Sequence, residues 1–235
     1  MWRARIFKTL PRLQEALPNR RWVFLTLTMR NVPLTGLRDA VQKMNKAWGR
    51  LSKRKNFPAE GWIKSVEVTR NPSTGEAHPH IHALLMVKPS YFKTGYLSQA
   101  KWTELWKSCL RVDYQPVVHV KAVKLRRGAD DPEEALKVAI VEVTKYVTKP
   151  GDLTGDSRTA AITPADVEWL EELTRQLHKM RSIAIGGVLK NFMSEEEPED
   201  LIGKGEDEEG DLPSDVFFLW EQYAKHYKYK GKDRY

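Results

Sequence analysis

Residues 61–88 of the chain, GWIKSVEVTR NPSTGEAHP HIHALLMVK, carry its strongest structural signal. The segments 61–70 and 80–88 are rich in apolar and β-branched residues, which favours strands. The segment between them is rich in Asn, Pro, Ser and Gly, the residues that form turns. The pattern therefore predicts an antiparallel β-hairpin.

The elements around the hairpin alternate between strands and helices. Residues 22–30 and 116–125 predict strands, whereas 35–55, 97–110 and 131–149 predict helices from their apolar spacing and N-terminal signals. The order β-α-β-β-α-β-α is that of a ferredoxin-like split β-α-β core, an α+β fold with an antiparallel sheet. Because its helices pack mainly on one face, we expect the other face to be free for a ligand.

The C-terminal part of the chain changes in composition. Residues 163–181 and 184–193 are predicted to be helical, and 194–213 holds ten acidic residues and one lysine, which predicts a mobile linker. An aromatic-rich terminal helix is predicted over 214–229. The expected organisation is a domain over 1–192 with a basic N-terminal arm, an acidic linker over 193–213 and a C-terminal helical extension over 214–235.

The overall composition excludes several classes of protein. With 41% hydrophobic residues the chain can bury a core, which excludes a fully disordered or collagen-like protein. No apolar run reaches about 18 residues, so we expect a cytosolic protein with no membrane partner. The single cysteine, Cys109, excludes a disulfide framework and a multi-cysteine zinc site, and its apolar surroundings predict a buried thiol.

The charge is unevenly distributed along the chain. Residues 1–193 hold 33 basic and 18 acidic residues, a net charge of +15. Such an excess over a folded region suggests a polyanionic partner whose phosphates are neutralised by Lys and Arg. A solvated surface on a basic protein would give the same count, and charge alone does not separate the two.

Three histidines stand close together in HPHIH, residues 78–82. Side chains at i and i+2 share one face of a strand, so His80 and His82 point the same way. Two imidazoles on one face can hold a divalent metal, although polar surface residues of a strand would show the same spacing. His78 belongs to the same face only if the strand starts before Pro79.

The hairpin predicts a third ligand. If its turn centres between Ser73 and Thr74, facing residue numbers sum to 147, and Glu67 lies opposite His80 and diagonal to His82. Two imidazoles and a carboxylate suit Mg²⁺, Mn²⁺ or a later transition metal. A register slip of one residue would move Glu67 to the other face, where it would be only a sheet residue.

A second group of polar residues ends the third predicted helix, in EVTKYVTK. Glu142, Tyr146 and Lys149 are spaced at i−4, i and i+3, so they share one helical face. They combine an oxygen nucleophile, a proton acceptor and a phosphate partner, the parts of a phosphoryl-transfer site. Glu, Tyr and Lys at this spacing also occur on the solvent-exposed faces of many helices.

Taken together, these motifs resemble the HUH endonucleases, and more narrowly the replication initiators of small rolling-circle plasmids. The resemblance rests on His80-Ile81-His82 within a ferredoxin-like pattern, on Tyr146-x-x-Lys149, and on the Glu-x-x-x-Tyr spacing of EVTKYVTKPGDL. It extends over residues 20–192, including WVFLTLTMRNVP and GGVLKNF. It implies a metal-dependent enzyme that nicks and joins one DNA strand at a plasmid origin and so starts rolling-circle replication.

The resemblance assigns roles to individual residues. It implies that His80, His82 and an acidic partner bind Mn²⁺ or Mg²⁺ and that Tyr146 attacks the scissile phosphate, leaving a 5′-phosphotyrosine link. Glu142 would activate water at termination, and Lys149 would orient the phosphate. The substrate would be single-stranded or extruded origin DNA. Its backbone could be guided by the basic helix predicted over 35–55 and by the N-terminal arm. The basic residues of this arm are Arg3, Arg5, Lys8, Arg12, Arg20 and Arg21.

Two other functions remain open from the sequence. A single-tyrosine transposase or relaxase would use the same chemistry, but relaxases usually carry a third metal-binding histidine and an N-terminal tyrosine. A ferredoxin-like RNA-binding module would carry aromatic residues on its central strands, where this chain has histidines. The chain contains no Gly-rich Lys-Ser/Thr loop, so we expect a host helicase to unwind the duplex.

Overall fold

The structure is a computed structural model that describes residues 2–123, 132–144, 163–194, 218–221 and 226–229. The chain divides into two compact units, Met1–Glu195 and Glu196–Tyr235. None of the described helices is long and apolar enough to cross a membrane.

The first unit alternates helices and strands. Its helices are α1 (Trp2–Ala16), α2 (Leu37–Leu51), α3 (Gln99–Leu110), α4 (Pro132–Val143), α5 (Pro164–Leu177) and α6 (Val188–Ser194). Its strands are β1 (Arg21–Thr28), β2 (Ala59–Arg70), β3 (Ala77–Val87), β4 (Val118–Ala122) and β5 (Ile183–Gly187). Short 3₁₀ helices cover Leu34–Gly36 and Pro89–Phe92.

The strands form one five-stranded sheet in the order β4-β1-β3-β2-β5, with every neighbouring pair antiparallel. Strands β1 and β2 both pair with β3, so they run parallel to each other and α2 connects them. This arrangement is consistent with the predicted split β-α-β core, and the α+β class with an antiparallel sheet is confirmed. Strand β5 extends the sheet beyond β2.

One face of the sheet is covered by α2 and α3. The apolar residues that predicted α2 are all buried there: Leu37, Val41, Met44, Trp48 and Leu51. Helix α3 begins as expected, because the Ser98 side chain caps it by accepting a hydrogen bond from the Lys101 N–H. Cys109 is buried in the same cluster, as predicted.

The opposite face is not left free, contrary to expectation. Helices α1, α4 and α6 pack on one half of it, and a second apolar cluster forms around Leu10, Ile140 and Leu189 from these helices and Ile63 and Leu84 from the sheet. Of the described helices, these three cover only this half of the face. The predicted N-terminal arm is therefore a packed helix, whose internal Pro11 made the segment atypical of helices.

The predicted helix over 184–193 is wrong in its first half. Residues 183–187 form β5, and the helix starts only at Val188. Gly187 explains the break: its φ is +61°, and a Cβ there would lie 2.1 Å from the carbonyl oxygen of Glu60. The chain can therefore turn from strand to helix here only with glycine.

The second unit also differs from expectation. The structure describes two short antiparallel strands, β6 (Phe218–Glu221) and β7 (His226–Tyr229), where a terminal helix was predicted over 214–229. Their sequences FLWE and HYKY are aromatic-rich, which favours strands over helices. The acidic linker predicted over 193–213 begins within α6, which ends at Ser194, and residues 195–213 lie outside the described residues.

Lys64 is an unusual charge in the core between the sheet and α2. Its side chain is buried, and its ammonium Nζ donates a hydrogen bond of 2.5 Å to Oδ1 of Asn45. Burial lowers the pKa of Lys64 from 10.5 to about 8. That difference corresponds to about 3 kcal/mol of unfavourable charge burial.

Replacing Lys64 with methionine is therefore expected to raise the free energy of unfolding at pH 7 by about 1–2 kcal/mol, after the lost hydrogen bond is counted. Below pH 8 Lys64 is protonated in both the folded and the unfolded protein, so the full cost of burying its charge is present. Between about pH 8 and 10.5 Lys64 has lost its proton in the folded protein but keeps it in the unfolded protein. The free energy of unfolding therefore rises with pH in the parent and not in Lys64→Met. Urea unfolding at pH 7, 9 and 10.5 measures this, with the exposed Lys101→Met as control. A variant less stable than its parent at pH 7 would contradict it.

Candidate functional site

The β2–β3 hairpin has the predicted register. Glu67 faces His80, and facing residue numbers sum to 147 from Arg70 to Gly61. The turn is held by Asn71, whose Oδ1 accepts hydrogen bonds from the backbone N–H groups of Ser73 and Thr74. Glu67 and the two histidines therefore share one face of the sheet.

This face has an apolar half and a polar half. Alternation along β3 places Leu84 and Met86 in the cluster beneath α1, α4 and α6, whereas His80 and His82 continue the same face towards the turn. Ile81 between them is buried on the α2 side. The histidines thus begin where the apolar packing ends.

Glu67, His82 and Thr26 form a hydrogen-bonded chain across three strands. Nε2 of His82 lies 2.5 Å from Oε2 of Glu67, and Nδ1 of His82 lies 3.1 Å from the hydroxyl of Thr26. Glu67 is buried, with 8% of its surface exposed. The Thr26 hydroxyl can donate or accept, so it can serve either tautomer of His82.

His78 also lies on this face, next to His80. Strand β3 begins at Ala77, so the strand does start before Pro79, and the ring centroids of His78 and His80 are 4.2 Å apart. The pairing of β1 with β3 ends at His80, so at Pro79 the strand pairs only with β2 and its missing N–H is tolerated. Burial lowers the pKa of His78, and a hydrogen bond to the Met29 backbone opposes this.

The donor chemistry of this group fits a divalent cation. Two neutral imidazoles and a carboxylate are suitable ligands, and one nitrogen of His82 already contacts an oxygen of Glu67. Among the residues that the structure describes, no group of three His, Cys, Asp or Glu side chains stands in ligating geometry. His80 lies on the same face, and its ring centroid is 6.1 Å from that of His82.

Comparison with known proteins identifies the family. Residues 1–228 match the family described as "Replication protein". This chain belongs to the replication protein family. No solved structure matches it.

Individual relatives are named "Protein rep" or "Replication protein". The chain is 36% identical over 203 residues to "Protein rep" of Lactiplantibacillus plantarum, covering 83% of this chain and 59% of the relative. It is 32% identical over 226 residues to "Protein rep" of Streptococcus pneumoniae, covering 92% and 66%. It is 30% identical over 221 residues to "Replication protein" of Staphylococcus aureus, covering 89% and 91%. The chain thus spans about three fifths of the length of the first two relatives.

The catalytic residues predicted for this replication protein are only partly described. Glu142 is exposed and lies one residue before the end of α4, which packs against β2 and β3. Tyr146 and Lys149 lie outside the described residues. Their shared helical face with Glu142 stays a prediction from the spacing.

The structure places the predicted DNA-binding residues in different settings. Lys8 and Arg12 are exposed on α1, and the side chains of Arg3 and Arg5 lie outside the described residues. Arg20 pairs with Glu60 at 2.5 Å. Arg21 is exposed at the start of β1, whereas Thr28 at its other end faces His80, about 23 Å away along the strand. Arg20 is thus held by a carboxylate, and Arg21 lies far from the histidines.

Sequence reasoning missed polar residues that β1 and β4 contribute to this face. Thr26 was one, and the alternation of β4 adds His119 and Lys121, both exposed. His119 faces Thr26, which in turn faces His82. The alternating segment 116–125 held the signal, because residues two apart on a strand share a face.

Proposed function

We propose that this replication protein is an initiator that nicks and rejoins one DNA strand at a plasmid origin and so starts rolling-circle replication. The observation that carries the proposal is the contact of Glu67 with His82 in the register predicted for a nuclease site, within a family of replication proteins. The basic charge of residues 1–193 suits a DNA substrate. We place its action in the cytoplasm.

His80, His82 and Glu67 would hold a divalent cation, Mn²⁺ or Mg²⁺. When bound, the cation would polarise the scissile phosphate as a Lewis acid. Glu67 supplies the negative charge of the ligand set, and its burial limits the side chain to few positions. Thr26 would orient the His82 ring from the far side, as outer-shell partners of metal-binding histidines do.

Tyr146 would be the nucleophile. Its oxygen bonds to the phosphorus, the bond to the 3′ oxygen breaks, and that oxygen takes a proton to become a free 3′-hydroxyl. The phenolic proton leaves to solvent or to a nearby base. A tyrosine has an ordinary pKa near 10, so the ammonium of Lys149 would favour the attack by stabilising negative charge on the phenolate and phosphate. The product is a 5′-phosphotyrosine link.

The substrate would be single-stranded or extruded, because the scissile phosphate must reach the sheet face. We propose that a host helicase unwinds the duplex. The family and the Staphylococcus aureus relative are described as "Replication protein", which favours an initiator over a transposase or relaxase. An RNA-binding module is disfavoured because the polar half of the face carries histidines and a carboxylate.

The experiment that tests the proposal is incubation of the protein with a labelled library of single-stranded origin sequences and Mn²⁺. We expect a labelled adduct that survives denaturing electrophoresis, together with a free 3′-hydroxyl on the other product. Cleavage without any protein-linked DNA would contradict the phosphotyrosine mechanism.

Glu142→Ala separates initiation from termination. If Glu142 accepts the proton of the water that hydrolyses the phosphotyrosine bond, we expect nicking at the parent rate while release slows by about a hundredfold, so the adduct accumulates. A pulse–chase assay of adduct decay measures this, with exposed Glu168→Ala on α5 as control. Equal loss of nicking and release would assign Glu142 another role.

Thr26→Val tests the positioning of His82. The substitution keeps the shape of the side chain and removes its hydroxyl, so we expect Mn²⁺ affinity to fall about tenfold with little change in fold. Calorimetric titration with Mn²⁺ measures the affinity. Thr103→Val is the matched control, because it removes a hydroxyl bonded to a backbone carbonyl on the other side of the sheet. Unchanged affinity would show that Thr26 does not orient the ligand.

A further inference from the structure

A row of cations follows the outer face of α2, on the side of the sheet opposite the histidines. Lys43, Lys46 and Arg50 are spaced at three and four residues, which puts them on one face of the helix, and Lys53 follows two residues after the helix ends at Leu51. The helix rises by about 10 Å from Lys43 to Arg50. The stripe lies away from the buried face, and its three lysines are exposed.

Helix α3 adds cations beside this row. Arg50 donates a hydrogen bond of 2.8 Å to the carbonyl of Cys109, and Arg54 donates one of 2.6 Å to the hydroxyl of Ser108, so the C-terminal ends of the two helices meet. Lys107 and Arg111 are therefore neighbours of the stripe. We call this group the α2–α3 basic surface; it comprises Lys43, Lys46, Arg50, Lys53, Arg54, Lys55, Lys107 and Arg111.

The charge of this surface exceeds what the helices themselves require. Two helix C-termini together carry about one negative charge, so cations there are partly expected. Eight cations leave a large excess, and none of them forms an ion pair within the part of the chain that the structure describes. The surface is therefore available to an external polyanion.

We propose that the α2–α3 basic surface binds the phosphate backbone of duplex DNA beside the nick site. Along about 10 Å of its axis, one strand of a duplex presents about three phosphates, comparable to the three cations on the helical part of the stripe. Single-strand sites instead use exposed aromatic rings, and Trp48, the aromatic residue of α2, is only 3% exposed. The surface lies across the sheet from the histidines. It would therefore hold a different segment of DNA from the one that is cut, instead of guiding the cut strand as the sequence led us to expect of the helix over 35–55.

This inference rests on the proposed DNA-nicking function, and its test can be read independently. The triple variant Lys43→Gln/Lys46→Gln/Lys53→Gln is compared with Lys93→Gln/Lys179→Gln/Lys190→Gln, which removes the same charge from exposed lysines elsewhere. Fluorescence anisotropy measures binding to a 30-base-pair duplex of arbitrary sequence and to a 30-residue oligothymidylate between 50 and 200 mM NaCl. Thermal unfolding checks that both variants are folded.

For the duplex, we expect the slope of log K against log salt to fall by about 2 to 3 in the α2 variant, and affinity at 50 mM salt to fall at least tenfold. The control variant should keep the parent slope, and adduct formation on the single-stranded library should be unchanged in both.

An unaltered duplex slope would overturn the proposal and point to an acidic protein as partner. An equal loss for oligothymidylate, or a loss of adduct, would overturn the assignment to duplex. If even the parent forms no adduct, the nicking function fails while the duplex measurement still decides this proposal.

Discussion

Replacing Tyr146 with phenylalanine is expected to abolish the covalent protein–DNA adduct and to leave DNA binding intact. The substitution removes only the attacking oxygen, so the ring can still pack while the phosphorus has no phenolic nucleophile. We expect adduct formation to fall by at least about a thousandfold, because a nucleophile is not replaced by its neighbours. Denaturing electrophoresis with labelled DNA measures the adduct, and anisotropy measures binding.

Other tyrosines provide the controls. Tyr91 is buried and its pKa is raised by that burial, so it is a poor nucleophile. Tyr96 is exposed, and Tyr114 lies under the guanidinium of Arg30, 4.1 Å from its ring centroid. Tyr114→Phe is the more stringent control. Tyr114 contacts Arg30, which lies just beyond the end of β1, and the last residue of β1 faces His80. Tyr96→Phe and Tyr114→Phe should both form adduct at the parent level. Mapping of a trapped adduct to either would overturn the assignment of Tyr146.

The hairpin register could be predicted because local chemistry determines it. Asn71 binds the turn N–H groups, and Gly75 takes a φ of +71°, so the turn centre is encoded within a few residues. Once the centre is known, the period of two in a strand places Glu67 beside the histidines. This is why Glu67 could be chosen as the carboxylate ligand from the sequence alone.

The covering of the sheet could not be predicted in the same way. Helix α1 contains Pro11, which disfavours helices locally, and its burial of Ile6, Leu10 and Leu13 depends on contacts with α4 and α6. Strand β5 is five residues long, too short to show whether its period is that of a strand or a helix. In both cases tertiary packing outweighs the local signal.

That packing also defines the candidate site. Of the described helices, α1, α4 and α6 pack on the apolar half of the face, and the polar half lies beside the turn. Helix α4, which carries Glu142, packs on the same two strands that carry Glu67 and the histidines. That Glu142, Tyr146 and Lys149 join Glu67 and the histidines in one site stays a proposal.

Glu67→Ala is expected to raise the Mn²⁺ concentration needed for half-maximal nicking about a hundredfold, and His80→Ala to raise it further. Each variant loses one of the three proposed ligands. Glu67 is the only charged ligand, so the two imidazoles that remain in Glu67→Ala attract the cation less strongly. Glu76→Ala is the matched control, since Glu76 lies in the turn, where its carboxylate accepts a hydrogen bond of 3.1 Å from the hydroxyl of Thr74. It should titrate like the parent.

Thermal unfolding provides a second measurement that does not depend on nicking. A ligand at a hundred times its Kd stabilises the folded state by about 2.7 kcal/mol, so Mn²⁺ should raise the Tm of the parent and of Glu76→Ala. The same Mn²⁺ concentration should have little effect on Glu67→Ala, because its Kd is weakened to near that concentration. Without metal, Glu67→Ala should unfold close to the parent, since removing a buried carboxylate offsets the loss of its contact with His82. If Glu67→Ala kept the Mn²⁺-dependent shift and Glu76→Ala lost it, the cation would be held at the turn, and the role of Glu67 would be to orient His82.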